Sequence, residues 1–291
     1  MNGLLVIDKP GGMTSRDAVN RVQRWFPRKT KIGHTGTLDP LATGVLVVCV
    51  GAATRLADYV QAMGKTYHSR FRLGATSTTD DADGEVAETP GVEPAKREVI
   101  DTALSRFVGT VEQTPPAFSA MKVDGRRAHA LARAGAEVKL KARPVRIDAI
   151  RVAGFAWPWL DVEVDCGKGT YIRSIARDLG AALGCGGMVQ TLRRTRVGPF
   201  AAGQGVGVNA PPSDLAARLL PMASALGDKP CVSVGPDELR RFRMGQGVPF
   251  SPLGEVFTEE TAVGVTDEAA ELIGLGRIVG RVVKPDLVFN V

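Results

Sequence analysis

One carboxylate, Asp39, stands in the stretch Gly33-His34-Thr35-Gly36-Thr37-Leu38-Asp39-Pro40-Leu41-Ala42-Thr43-Gly44, between a glycine-flanked histidine and a proline. The run Val45-Leu46-Val47-Val48-Cys49-Val50 follows directly; it is short, β-branched and bounded by glycines, which predicts a buried strand. A carboxylate on a constrained loop feeding such a strand stands where catalytic residues are often carried. The same residue types also build a proline-terminated turn with a structural Asp. Spacing alone leaves both readings open.

The elements that must hold such a loop are visible in the hydrophobic pattern. Tyr67, Ser69, Phe71 and Leu73 alternate with His68, Arg70 and Arg72, and Leu160, Val162, Val164 and Cys166 with Asp161, Glu163 and Asp165, as in half-buried strands. Val99-Ile100, Ala103-Leu104 and Phe107 recur at helix spacing, as do Ile175, Leu179 and Leu183. Strands and helices mix without a regular βαβα rhythm, which predicts an α+β domain around a mixed or antiparallel central sheet. Residues 1–205 form this domain, the Gly-, Ala- and Pro-rich segment 206–229 reads as a linker, and 230–291 as a small β-rich domain.

Composition narrows the chemistry. Hydrophobic residues make up 44% and charged residues 23% of the 291, ordinary for a soluble globular chain. No secretory signal is visible and no stretch reaches the roughly 18 apolar residues of a membrane span, so a cytoplasmic protein is expected. The four cysteines are isolated and the three histidines unclustered, which argues against a metal site. No phosphate loop or dinucleotide fingerprint is present, and no cofactor is expected. Residues 1–229 carry 31 Lys+Arg against 22 Asp+Glu, and 230–291 carry 6 against 9; the balances of +9 and −3 sum to the net +6. A basic main domain suits a polyanionic partner, though many proteins with such a balance bind no nucleic acid.

The loop around Asp39 resembles the catalytic motif of the TruB family of tRNA pseudouridine synthases. Lys65-Thr66-Tyr67, Lys168-Gly169-Thr170-Tyr171-Ile172-Arg173 and Leu192-Arg193-Arg194 resemble the family's other signature segments in the same order, and Asn2 to Ser15 is similar to its usual start. The resemblance spans about residues 2–200. It implies the pseudouridine synthase fold, a PUA-like character for the C-terminal domain, and isomerisation of uridine-55 in the tRNA T-loop without a cofactor or metal.

The resemblance also implies roles. Asp39 is the expected nucleophile. Arg173 is its expected ion-pair partner, since a guanidinium pairs bidentately and keeps its charge; by spacing it is a surface arginine beside a helix at 174–184. Tyr67 is expected to stack on the target base and to take part in proton removal, with Tyr171 and Leu192 lining the same pocket. His34 is expected to fill the space left by a flipped-out base. Lys122 to Arg133, within an insertion at about 115–145, resembles the family's RNA-gripping segment, with His129 where a tyrosine is common. Asp80, Asp81 and Asp83 lack the spacing of a calcium loop and read as a solvated turn or support for the site. The expected partner is tRNA, met by a monomer that needs no protein partner. An RNA-folding protein in which modification is secondary is the alternative, and action on another RNA within a guide-RNA particle a third.

Overall fold

The computed structural model describes residues 1–119, 121–123, 126–128, 131, 136, 140–209, 215–250 and 261–289. Its first elements are β1 (Gly3–Lys9), α1 (Ser15–Gln23), β2 (Ile32–His34), β3 (Thr43–Val50), α2 (Ala57–Ala62) and β4 (Lys65–Leu73). Next come β5 (Ala75–Ser77), β6 (Val86–Glu88), α3 (Arg97–Ser105), β7 (Gly109–Gln113), β8 (Lys122–Val123) and β9 (Arg126–Arg127). The main unit closes with β10 (Arg143–Ala156), β11 (Trp159–Cys166), α4 (Ile172–Ala182), β12 (Gly187–Val197) and β13 (Phe200–Ala201). Then follow α5 (Leu215–Arg218), β14 (Cys231–Ser233), α6 (Pro236–Arg243), β15 (Val248–Pro249), β16 (Ala262–Thr266), β17 (Leu272–Val279) and β18 (Val282–Val288).

The main sheet is mixed, in the order β1-β3-β12-β4-β11-β10-β7, with β2 beside β3 and β13 beside β12. Alternation dictates its faces. Tyr67, Phe71 and Leu73 of β4 and Leu160, Val162 and Val164 of β11 are buried together with α3 and α4. The opposite face carries Arg70 against Asp161 at 2.8 Å and His68 against Glu163 at 2.6 Å. Such exposed pairs contribute little, under about 1 kcal/mol each, and chiefly keep that face solvated.

Two close approaches fix where functional residues sit. Strand β12 runs parallel to β3 and antiparallel to β4, placing Arg194 opposite both Gly44 and Tyr67. Gly44 has φ 100°, and a Cβ there would lie 2.1 Å from the Arg194 carbonyl oxygen, so only glycine lets these strands meet. Helix α4 approaches β12 equally closely, since a Cβ on Gly180 would lie 2.1 Å from the Gly187 nitrogen. The helix buries Ile172, Ile175, Ala176 and Leu179 against the sheet and carries Arg173 into the interior with them.

The described part of 206–229, expected as a linker, is packed along the edge of β1. Val206 donates to the Val6 carbonyl at 2.9 Å and Leu220 to the Leu4 carbonyl at 2.8 Å. Val206, Val208 and Leu215 join one apolar core, and Met222, Ala225 and Leu226 a second. The C-terminal sheet has the order β14-β16-β17-β18-β15. The segment 277–283 is a hairpin: Val279 pairs with Val282, and Gly280 at φ 62° makes the turn between them. Leu272, Leu275 and Phe289 pack with Leu4, Val6, Val45 and Val47, so the small unit is docked on the back of β1 and β3. No described helix is long and apolar enough to cross a membrane.

Candidate active site

The loop between β2 and β3 is pinned from several directions. Thr35 donates its backbone N–H to the Val47 carbonyl at 3.0 Å. Ser15, at the start of α1, accepts from the Leu38 N–H at 2.8 Å and donates its hydroxyl to the Leu38 carbonyl at 3.1 Å. Gly12 donates to the Pro40 carbonyl at 2.9 Å, and Ala42 to the Asp39 carbonyl at 3.1 Å. Asp39 therefore sits on a backbone fixed on both sides.

Lys9 completes this anchoring and was not singled out by sequence reasoning. It is fully buried, and its Nζ donates to the carbonyls of Met13 at 2.7 Å, Pro10 at 2.9 Å and Pro40 at 3.3 Å. Burial lowers its pKa to about 8, against the opposing pull of Asp39. Lys9→Met is expected to destabilise the fold by about 3 kcal/mol, because it removes the donor shared by the Pro10 and Met13 carbonyls and one of the two donors to Pro40. Between pH 8 and 10.5 the unfolded chain still holds the Lys9 proton that the folded chain has released. Stability contributed at this position therefore rises with pH across that window, by roughly 2–3 kcal/mol. Urea denaturation of both proteins near neutral pH and near pH 10 checks this: the gap should widen at the higher pH.

Asp39 meets Arg173, 134 positions later in the chain. Arg173 Nη2 donates to Asp39 Oδ1 at 3.0 Å, and Nε lies 2.9 Å from Oδ2 without the alignment of a hydrogen bond. Arg173 is buried, and its other contacts explain its fixed pose. Nη1 donates to the Thr79 carbonyl at 2.9 Å and Nη2 also to the Phe118 carbonyl at 3.0 Å, while Asp81 Oδ2 stands 3.4 Å from Nη1. Asp81 is buried and accepts from the Thr79 hydroxyl at 2.5 Å and the Asp83 N–H at 3.1 Å. Of the acidic segment, Asp81 thus supports the site from behind Arg173. Asp80, at φ 60°, pairs instead with Arg177 at 3.0 Å.

Burial in the cleft pushes the Asp39 carboxyl above its ordinary range, Arg173 pulls it back, and Asp81 adds to the rise. The carboxylate is nonetheless open on one side, with 31% of its side chain exposed. That opening leads to two cavities, both lined by Thr37, Leu38, Asp39, Ser119 and Arg173. The first, about 350 Å³, is walled by Tyr67, Tyr171 and Leu192. The second, about 630 Å³, is walled by His34, Arg16, Asp83 and Phe118.

All six residues named from the sequence thus face this one region, His34 from the far side of Asp39. His34 is partly buried, its Nδ1 accepts from Gly36 N–H at 3.4 Å, and burial beside Arg16 lowers its pKa, which suits a neutral wedge better than an acid. Gln113 of β7 pins the Tyr171 backbone, accepting from its N–H at 2.8 Å and donating to its carbonyl at 3.1 Å. Arg143 lies over the Tyr171 ring at 5.5 Å. Among the described residues the first cavity holds five cationic side chains, Lys65, Arg143, Lys168, Arg173 and Arg194, against the single carboxylate Asp39. A polyanion is favoured there. His129, with Asp124, Gly125, Ala130, Ala132 and Arg133 of the RNA-gripping insertion, lies outside the described residues.

The chain is similar to known proteins. Residues 24–172 match the model of the TruB family pseudouridylate synthase N-terminal domain, and 173–227 that of the tRNA pseudouridylate synthase B C-terminal domain. A tRNA pseudouridine synthase B of Cereibacter sphaeroides is 45% identical over 251 residues, covering 84% of this chain and 83% of that protein. That of Paracoccus denitrificans is 42% identical over 295 residues, covering 100% and 97%. Among solved structures, a chain from an H/ACA RNP bound to a substrate RNA containing 2′-deoxyuridine superposes with a TM-score of 0.76 at 22% identity, covering 99% of this chain and 84% of that one. That likeness is one of fold, the pseudouridine synthase architecture with its central sheet and β-rich C-terminal unit. By the matched models and the identity over nearly its whole length, the chain belongs to the TruB family of pseudouridylate synthases.

Proposed function

We propose that this chain isomerises uridine-55 in the T-loop of tRNA to pseudouridine, with Asp39 as the catalytic nucleophile on a flipped-out nucleotide. The observation that carries the reading is the Asp39–Arg173 pair at the junction of two cavities. The relatives' names, tRNA pseudouridine synthase B, support tRNA as the substrate.

The target uridine enters the first cavity, where Tyr67 stacks on the base and Tyr171 and Leu192 close around it. His34 occupies the space the base leaves, offsetting part of the few kcal/mol that flipping costs. Asp39, held ionised by Arg173, acts at the sugar as the N1–C1′ bond breaks. The base turns within the cavity, C5 bonds to C1′, and the C5 proton is lost, with Tyr67 taking part in its removal. The reaction is an isomerisation, with no net redox change. The enzyme is read as a cytoplasmic monomer that meets tRNA through its basic main domain.

The test is to incubate the purified protein with an unmodified tRNA transcript and map pseudouridine by carbodiimide-dependent primer-extension stops. One new stop, at the T-loop uridine, is the expected result. Stops elsewhere would move the substrate site, and tRNA binding without any stop would favour a folding role.

A further inference from the structure

Arg194 is a buried charge in the site to which the mechanism above gives no task. It is 3% exposed, lines the first cavity, and forms no salt bridge with a described carboxylate. Its neighbour on the opposite face of β12, Arg193, by contrast pairs with Asp8 at 2.8 Å. Arg194 Nε donates to the Val45 carbonyl at 2.7 Å and Nη2 to the Gly36 carbonyl at 3.1 Å. These bonds tie the Asp39 loop to β3, yet neutral acceptors do not neutralise a buried guanidinium, which is costly without an anion.

The geometry supplies a candidate anion. Arg194 and Tyr67 are direct cross-strand partners of β12 and β4 on the face that lines the cavity. Such partners hold their Cβ atoms within about 5.5 Å of each other. The other charged or titratable groups around the phenol are Asp39 from the loop and Cys166 from β11, with Lys65 two residues away on β4. The Lys65 ammonium is drawn aside, donating to the carbonyls of Gln61 and Met63 at 2.5 Å each. Burial raises the Tyr67 pKa, and Arg194 is the foremost group opposing that rise.

We propose that Arg194 is a positioning residue that stabilises the Tyr67 phenolate, so that Tyr67 shuttles one proton between the two ends of the turning base. The inference rests on the pseudouridine-forming reading above. As the N1–C1′ bond breaks, its electron pair goes to N1, and the Tyr67 phenol gives N1 its proton. The phenolate is then held against Arg194 while the base turns. Once C5 has bonded to C1′, the phenolate takes the C5 proton, and that C–H electron pair restores the C5–C6 double bond. The product carries hydrogen on N1 and none on C5, the phenol is regenerated, and no outside acid or base is consumed.

A double-mutant cycle in single-turnover pseudouridine formation on unmodified tRNA tests this. Tyr67→Phe is expected to lower the rate about 10²–10⁴-fold, the range of positioned proton transfer, and Arg194→Gln about 10–100-fold, with tRNA Kd within about threefold of wild type. In the Tyr67→Phe background, Arg194→Gln should add no further loss, since the cation then has no phenolate to serve. If Arg194→Gln melts before the assay temperature, Arg194→Lys carries the same cycle, with a smaller loss that likewise vanishes beside Tyr67→Phe. Losses that multiply across the cycle overturn the proposal, because a purely structural arginine would behave that way. A wild-type protein that forms no pseudouridine would instead overturn the reading beneath it.

Discussion

Asp39→Asn is expected to fold, bind tRNA and form no pseudouridine, with single-turnover rates lower by at least about four orders of magnitude. Asn keeps the shape and one acceptor for Arg173 Nη2, but it has no negative charge to bring to C1′. Folding should not suffer. Burial raises the Asp39 pKa in the folded state, so folding disfavours the ionised form, and at neutral pH that carboxylate works against stability. Replacing it with a neutral isostere is therefore expected to leave the melting temperature equal or slightly higher, a cost of function visible in stability. Parallel measurements of melting temperature, tRNA Kd and pseudouridine yield check all three statements. Substantial turnover by Asp39→Asn would remove Asp39 from its role. If the inactive variant still helps misfolded tRNA reach its native form, RNA folding is a separate property of the binding surface.

The sheet was legible in the sequence where one face is solvated. Alternation in β4 and β11 places Tyr67 inside and His68 outside, because a period of two leaves no other register. The apolar positions Ile175 and Leu179 likewise locate α4. What joins distant segments was not legible from spacing. Arg173 at the start of a helix reads as a surface residue; it is buried because Gly180 and Gly187 let α4 settle onto β12, and family resemblance alone pointed to its partner. The tasks of Lys9 and Arg194 were not legible for a related reason. Each reaches carbonyls far from it in sequence, and no residue type marks a carbonyl acceptor. A weak signal existed, since Lys9 closes the apolar strand Leu4-Leu5-Val6-Ile7, where a solvated lysine would be out of place. The segment 206–229 misled by composition: main-chain bonds to β1 need no hydrophobic pattern, so Gly and Ala residues there look like a free linker.

Arg173→Lys is the second large effect, and it separates charge from geometry. Arg173 reaches Asp39, Asp81 and the carbonyls of Thr79 and Phe118 with one planar fork. A lysine keeps the charge but presents a single ammonium on a flexible stem and cannot serve these acceptors together. Removing the charge altogether, as in Arg173→Ala, would leave Asp39 and Asp81 without their shared cation, at an expected cost of about 3–5 kcal/mol, enough to threaten the folded state. Arg173→Lys should fold and bind tRNA near normally but lose about 10²–10³-fold in rate, since the carboxylate is no longer held in line. Its pH dependence carries the sharper test. On the proposed mechanism the acidic limb of the wild type should report protonation of Asp39, whose pKa burial raises and Arg173 restrains. Weakening that restraint raises the pKa further, so the limb should move to higher pH. Single-turnover rates across the acidic range measure this directly. A rate loss with an unmoved limb would mean that Arg173 acts by shaping the loop around Thr79 and Phe118, and the electrostatic pairing with Asp39 would no longer explain the site.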